Sequence, residues 1–393
     1  MKQVTRPKFA PRNSPPANSQ FAQKGWPMNS LDTIRQILDL ARWAPSGDNT
    51  QPWRFELIDA DRAVVHAFDT REHCVYDLDG HPSQIAMGAL LETAAIAASQ
   101  FGRKMTAKRR VDAPEHRPVF ELSFEPDSTI SADVLFTSIK TRTVQRRPLK
   151  TKPLTKEQRQ ILEAAVGQNF QVLWLDSFAK RLDTAMLMFH SAKLRLTMPE
   201  AYEVHRSIIE WNAQFSSDKV PDQALGTDPI TTRLMQFVMK SWSRVEFFNR
   251  FLAGTWAPRL QLDFLPGIAC AAHFVIHAQR PPQHIDDYVA AGRALQRFWL
   301  TATRLGLQIQ PEVTPLVFSR YAREQTPFST SSGMAKQAQK IQSRLSTLLT
   351  APIAERAAFM GRVGSGKPAS ARSLRHPIED LILNSPPGHI RAP

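Results

Sequence analysis

Residues 44–55 read APSGDNTQPWRF and gather a dense set of recognition groups. Pro45 stops the helix before it, because the residue preceding a proline is pushed out of the helical region. Ser46 and Gly47 then expose a hydroxyl and backbone N–H groups, and Asn49 and Gln51 each bring an amide that donates and accepts. Such a set suits the edge of a flat heteroaromatic ring, where donors and acceptors alternate. The same residues also make an ordinary capped turn, and their types alone do not choose between the two. Other candidates are weaker. His190 and His205 lack metal-ligand spacing, and no metal is expected. Asp286 and Asp287 sit where acids favour a helix N-terminus, rather than as a catalytic pair. GRVGSGK (361–367) looks like a phosphate loop, but Pro368 follows the lysine where that loop needs Ser or Thr, so an NTP site is excluded. Cys74 and Cys270 form no CxxC pair. That excludes a disulfide framework or a cysteine-built zinc site, and the expected compartment is a reducing cytoplasm.

The elements that must position these groups alternate between helix and strand. A helix is expected from a cap at Ser30 through LDTIRQILDLARWA, ending at the loop. WRFELIDA and AVVHAFDT read as two strands around a turn at Asp61, PSQIAMGALLETAAIAASQFG as a long alanine-rich helix, and PVFELSFE as an alternating strand. A second series follows. LTKEQRQILEAAV reads as a helix, FQVLWLDS as a strand, and helices continue to about residue 253. GIACAAHFVIHAQ is a buried strand, IDDYVAAGRALQRFWLTATRLGL a second long helix, and a further helix falls near 334–348. The two long helices share a pattern: Gly88 and Gly102 in one are spaced like Gly292 and Gly306 in the other, with Leu91 matching Leu295 and Ala98 matching Ala302. A mid-helix glycine costs about 1 kcal/mol against alanine, so each marks a close backbone approach, to another helix or a flat ligand. The pattern reads as a divergent tandem duplication.

At 393 residues, with 42% apolar and 22% charged side chains, the chain is globular and long enough for two domains or one duplicated fold. No apolar run reaches the roughly 18–20 residues of a membrane span, and the opening residues, charged but without an apolar stretch, are not expected to act as a secretory signal. The net charge of +14 invites a nucleic-acid reading, but +11 of it lies in residues 1–25 and 334–393. With no recognition motif beside it, nucleic-acid binding is not expected. Residues 1–25, basic and rich in Pro, Asn and Ser, read as a disordered lead.

APSGDNTQPWRF resembles the helix-end motif of the nitroreductase superfamily of flavin enzymes, with Ser46, Asn49, Gln51, Pro52 and Trp53 in register. ALLETAAIAASQFG and DDYVAAGRALQRFWLTATRLGL resemble the family's central helix, and GIACAAHFVIHA the strand before it. TRTVQRRPL resembles its arginine-rich opening segment, and ARSLRHPIEDLI its basic C-terminal segment. The match extends over roughly 30–125 and 135–383 and is poor over 190–260; its tandem form resembles the long single-chain, Acg-like branch.

The resemblance implies an α+β, nitroreductase-like fold with tandem halves forming an intramolecular pseudo-dimer. The first half covers 26–130. The second covers 131–393, with a helical, lid-like insertion at about 190–260 and a basic C-terminal segment. The family's flavin site takes residues from two subunits, and here each half holds one part of a single FMN site, which favours a monomer. Pro45, Ser46, Gly47, Asn49 and Gln51 would meet the flavin ring or ribityl chain. Arg142, Thr143 and Arg146, with Arg147 as a substitute, would hold the phosphate together with Arg372 and Arg375. Thr141 and Gln145 depart from the family's usual basic spacing. Trp211, Trp242, Phe247 and Phe248 in the insertion would stack on a flat substrate, or simply pack the helices. The implied activity is NAD(P)H-driven reduction of a nitroaromatic, quinone or similar small molecule, with the flavin carrying the hydride and no protein acid or base required. The alternatives are an FMN-storing protein with little turnover, and a flavin-dependent dehydrogenase of a biosynthetic intermediate.

Overall fold

In α1 (Ser30–Ala41), Ile34, Ile37, Leu38 and Ala41 recur on one face, and all four are fully buried. The computed structural model describes residues 30–383, so the lead expected over 1–25 lies outside the described residues. β1 (Trp53–Leu57) and β2 (Arg62–Ala67) form the expected hairpin, followed by α2 (His81–Ser99). Two strands close this series, β3 (Arg103–Arg109) and β4 (Val119–Pro126). The sheet order is β1-β2-β4-β3, antiparallel throughout. β3 is absent from the sequence reading because RKMTAKR is an edge strand, where charged side chains discourage pairing with other chains.

A second series begins with α3 (Lys156–Ala165), opened by a Thr155–Gln158 capping box, and β5 (Phe170–Leu175). Four longer helices follow: α4 (Phe178–Leu196), α5 (Pro199–Ile208), α6 (Pro229–Val238) and α7 (Trp242–Phe251). Then come β6 (Ala272–Ala278), α8 (Ile285–Arg304), β7 (Leu307–Pro311), α9 (Thr314–Glu324), α10 (Met334–Leu349) and β8 (Ala357–Ser365). The second sheet runs β5-β6-β8-β7, again antiparallel throughout. Thus α3-β5-β6-α8-β7-β8 follows the order and pairing of α1-β1-β2-α2-β3-β4. Two blocks have no counterpart in the first series: 176–271, which contains the region 190–260, and 312–356. GRVGSGK lies mostly inside β8, which agrees with the exclusion of a phosphate loop.

The two series meet along α2 and α8. A Cβ on Gly88 would fall 2.0 Å from the Val289 carbonyl oxygen, and one on Gly292 would fall 2.0 Å from that of Ile85. The contact is reciprocal, each glycine against the backbone three residues before the other. Beside it, Gln296 donates to Thr93 (2.8 Å) and Arg297 pairs with Glu92 (2.8 Å). Gly102 and Gly306 end these helices in left-handed conformation (φ 61° and 71°). The second sheet is covered on both faces: Phe274 and Ile276 of β6 join a core with α3 and α8, and Val275 joins another with α4, α9 and α10. β6 is accordingly a nearly continuous apolar run. A residue between the two series and one near the end of the described residues extend the sheet edges. Ile382 bridges in parallel to Phe55 of β1, and Val144 to Ile309 of β7.

Candidate functional site

The loop after α1 holds three non-glycine residues in left-handed conformation: Asp48 (φ 50°), Asn49 (φ 65°) and Gln51 (φ 48°). Such conformations persist only where the surroundings hold them. Here the holding groups are visible. Ser46 Oγ accepts the Gln51 N–H at 3.0 Å, inside the loop. Asn49 Nδ2 donates to the Ser217 and Lys219 carbonyls (3.1 and 3.4 Å), and its Oδ1 accepts from Arg375 (2.7 Å). Gln51 Nε2 donates to the Ser217 carbonyl (2.8 Å), and its Oε1 accepts the His376 N–H (2.9 Å). The loop is thus clamped between the 215–220 segment of the insertion and the C-terminal segment. Phe215–Ser216 and Arg372–Ser373 themselves pair as short parallel strands.

Above the loop a cavity of about 400 Å³ opens between the two series. That lies within the roughly 300–1,000 Å³ that encloses a small organic ligand. Pro45, Ser46, Gly47, Asn49, Arg142, Thr143, Arg146, Arg372 and Arg375 all line it. Gln51 does not line it: the side chain is fully buried and both its polar atoms are bonded to protein groups. Arg147 is exposed and does not line it, while Gln145 is buried with its amide on the Lys367 carbonyl (2.7 Å). The arginine segment therefore presents Arg142, Thr143 and Arg146.

Arg142 and Arg375 are buried and Arg146 and Arg372 half-buried, with Asp48 the one acid beside them on the cavity wall. Among the described residues none of Arg142, Arg146, Arg372 and Arg375 makes an ion pair. Arg142 lies over the Trp299 ring (4.8 Å) and donates from Nη2 to the Trp43 carbonyl (2.9 Å). Arg372 lies over Trp43 (5.3 Å) and donates to the Lys140 and Arg142 carbonyls (3.0 and 3.2 Å). The Nε of each is buried with no partner. Burial, and then the charges of Arg375 and Arg372, hold Arg142 well below the usual guanidinium range; burial, with Arg372 and Arg42, brings Arg375 to about 9. Arg375 spends its donors mainly on the Ala44 carbonyl (2.8 and 3.1 Å), Asn49 and the Leu374 carbonyl, so it fixes the loop. Like charges gathered in a dry place are costly unless an anion answers them.

The insertion supplies one wall of the cavity, but not through its aromatic residues, and of their two readings the contacts fit helix packing. Trp211, Trp242, Phe247 and Phe248 do not line it; Leu196, Ile208, Ile209, Val220, Met235 and Met239 do. The helical phase decides this, since α6 turns its methionines inward and Trp242 packs on Tyr202 (5.5 Å). Sequence reasoning also missed several polar wall residues: Asp48, His81, Arg195, Arg320 and, read only as a satisfied histidine, His205. Burial raises the Asp48 carboxyl, against the pull of Arg146 and Arg195. Burial, then Arg195, takes His205 down to about 3, so it is neutral, with Tyr76 Oη at 3.0 Å from Nε2. His81 stacks on Tyr288 at 3.7 Å. Apart from Asp48, inside the motif itself, these residues come from separate segments with no shared spacing to reveal them. Among the described residues no group of His, Cys, Asp and Glu could hold a metal.

A buried ion network supports the arginine segment from below. Arg362 donates to the Arg146 carbonyl (2.8 Å) and to Glu312 (2.9 Å), and His273 meets the same carboxylate at 2.6 Å. Burial opposes charge on His273, but Glu312 outweighs it and lifts the imidazole from 6.5 to about 10. A raised histidine stabilises the fold fully below its unfolded value and loses that contribution as pH rises through its folded value. The melting temperature is therefore expected to fall between pH 6.5 and pH 10, with the slope reduced in Glu312→Gln. Thermal scans of both proteins across that interval check this; equal slopes overturn it.

Comparison with known proteins places this site in context. Residues 28–115 match the model of the nitroreductase family. A Mycobacterium tuberculosis (strain CDC 1551 / Oshkosh) protein of uncharacterised function is 22% identical over 75% of this chain, and the alignment spans only 40% of that relative's length. Another from the same strain, provisionally named an NAD(P)H nitroreductase, is 25% identical over 74% of this chain and 78% of its own. Among solved structures, a nitroreductase with bound FMN from Desulfitobacterium hafniense DCB-2 is 17% identical. It covers 65% of this chain and 99% of its own, at a TM-score of 0.32. The FMN-dependent nitroreductase NfnB from Mycobacterium smegmatis, in complex with NADPH, is 12% identical over 63% of this chain and 96% of its own, also at 0.32. The family match and the 44–55 motif together relate the chain to the nitroreductase superfamily.

Proposed function

We propose that the chain binds one FMN in the cavity between its two series and acts as an oxidoreductase, taking electrons from NAD(P)H and passing them to an electron-poor small molecule such as a nitroaromatic or quinone. The observation that carries this reading is the convergence of Arg142, Arg146, Arg372 and Arg375 on the cavity that the 45–49 loop lines, with Asp48 the one acid among its lining residues. Arginine forks suit a phosphate, and a dry site strengthens each such bond. Arg142, Thr143, Arg146 and Arg372 would hold the phosphate, with Arg375 keeping the loop in place. Pro45, Ser46, Gly47 and Asn49 would meet the rest of the cofactor, and Gln51 would act from behind by fixing the loop. Bound there, FMN supplies the hydride chemistry. The chain's own residues bind it, orient it and exclude water.

The two series are read as tandem halves, 26–130 and 131–393, forming an intramolecular pseudo-dimer with the insertion as a wall. The repeated order of elements and the reciprocal glycine contact support this. In the second half the turn Val166–Asn169, between α3 and β5, stands where the first half has its serine-amide loop, and it brings Gln168 and Asn169 but neither the serine nor the flanking prolines. One FMN per chain and a monomer are therefore expected. An absorbance spectrum of the purified protein, before and after anaerobic NADPH and then NADH, tests the reading. Flavin bands at one FMN per chain that either nucleotide bleaches support it. Bands that neither bleaches favour storage or a dehydrogenase with another donor, and two FMN per chain overturn the single site.

A further inference from the structure

Among the described residues fourteen large apolar side chains are exposed, and eight of them fall between residues 230 and 265. Scattered exposed apolar residues need no explanation, but a concentration does. Ile230 (78% exposed), Leu234 and Phe237 form one stripe along α6, at helical spacing. On α7, Phe247 and Phe251 (53% and 63%) form a second. The stripes join through ring contacts: Phe237 to Phe248 (6.5 Å), Phe248 to Phe247 (6.1 Å) and Phe247 to Phe251 (5.2 Å). Folding does not demand this outer face, because α6 already uses its inner face, through Met235 and Met239, for the cavity wall.

The charge of the patch narrows its occupant. Residues 229–256 hold four basic side chains, Arg233, Lys240, Arg244 and Arg250, against Glu246 alone. All four are exposed, and among the described residues none makes an ion pair. Two lie on the aromatic rings, Arg244 over Phe237 (4.6 Å) and Arg250 over Phe251 (5.4 Å). Two amphipathic helices with aromatic rings at the apolar level and cations beside them match an anionic lipid interface. A second copy meeting face to face would set cation against cation. Among the described residues no helix is long and apolar enough to cross a membrane.

We propose that α6 and α7 dock the protein on an anionic membrane surface. Co-sedimentation of the full chain with phosphatidylglycerol vesicles and with phosphatidylcholine vesicles, at low and high salt, tests this without any flavin. Binding to phosphatidylglycerol that weakens with salt is expected, with little binding to phosphatidylcholine. The double variant Phe247→Ser/Phe251→Ser should bind at least about tenfold more weakly, from the lost burial of two rings, and should melt like the parent because both rings are exposed. Arg244→Glu/Arg250→Glu should lose the preference for phosphatidylglycerol. No vesicle binding, or binding that neither variant weakens, overturns the proposal. So does a dimer in sedimentation velocity that the phenylalanine variant dissociates.

Discussion

Gly88→Ala will lower the melting temperature, although alanine is the better helix former. The substitution gains about 0.5–1 kcal/mol of helix propensity. Against that, its Cβ would lie 2.0 Å from the Val289 carbonyl oxygen and 2.8 Å from Gly292 Cα. Both are backbone atoms, so no rotamer change relieves the clash, and α2 and α8 must move apart. Overpacking costs about 1–3 kcal/mol and occasionally more; a backbone-to-backbone clash belongs at the upper end. Separation also stretches the Gln296–Thr93 hydrogen bond (2.8 Å) at the centre of the seam. A net loss of about 2–3 kcal/mol follows, worth roughly 2–4 °C in a protein of this size. Gly292→Ala should cost as much, because its Cβ meets Ile85 at the same 2.0 Å. Gly102→Ala is the control: nothing lies within 4 Å of its Cβ, so only the strain of its left-handed φ is felt. Calorimetry of the three variants checks the order. Gly88→Ala melting at or above the parent temperature would falsify the close approach of the two helices.

That approach was legible in the sequence because a glycine inside a good helix has a cost that packing must offset. Its partner was not, since a helix and a flat ligand both fit; the recurrence of the two glycines with the same spacing to a terminal glycine pointed only to a duplication. Several strands announced themselves through alternation or apolar runs: β1, β2 and β4 in the first sheet, β5 and β6 in the second. Three did not. β3 is highly charged and β7 short and polar, as edge strands can be, and the central β8 is interrupted by Gly361, Arg362 and Gly364. The loop 44–51 was readable as a set of residue types, but the set did not reveal which amides face the cavity. Gln51 is turned inward by its left-handed backbone and held by Ser217 and His376, more than 160 residues away in sequence. The insertion was legible as helices, yet its phase was not. Aromatic residues suited a stacking wall or helix packing alike, whereas Met235 and Met239 form the wall and the phenylalanines face outward.

Arg142→Met will separate the cofactor from the fold. In the free protein Arg142 is 3% exposed, and its Nε has no partner. Burial and the neighbouring Arg375 and Arg372 all disfavour its charge. Replacing such a group with an apolar side chain of similar length removes a desolvation and repulsion cost. The lost hydrogen bond from Nη2 to the Trp43 carbonyl (2.9 Å) takes back about 1 kcal/mol. The flavin-free variant should therefore melt at the parent temperature or slightly above it. Its affinity for FMN should fall about 10- to 100-fold, because a hydrogen bond to a charged group contributes about 1.5–3 kcal/mol. Riboflavin, which lacks the phosphate, should bind the variant and the parent almost equally. Fluorescence titration with both ligands, beside thermal scans of the free proteins, reads all three quantities. Equal loss of FMN and riboflavin would make Arg142 a packing residue, and undiminished FMN affinity would move the phosphate away from the arginine cluster. A fall in stability without ligand would show that the cluster is balanced within the fold, leaving no unmet charge for an anion to answer.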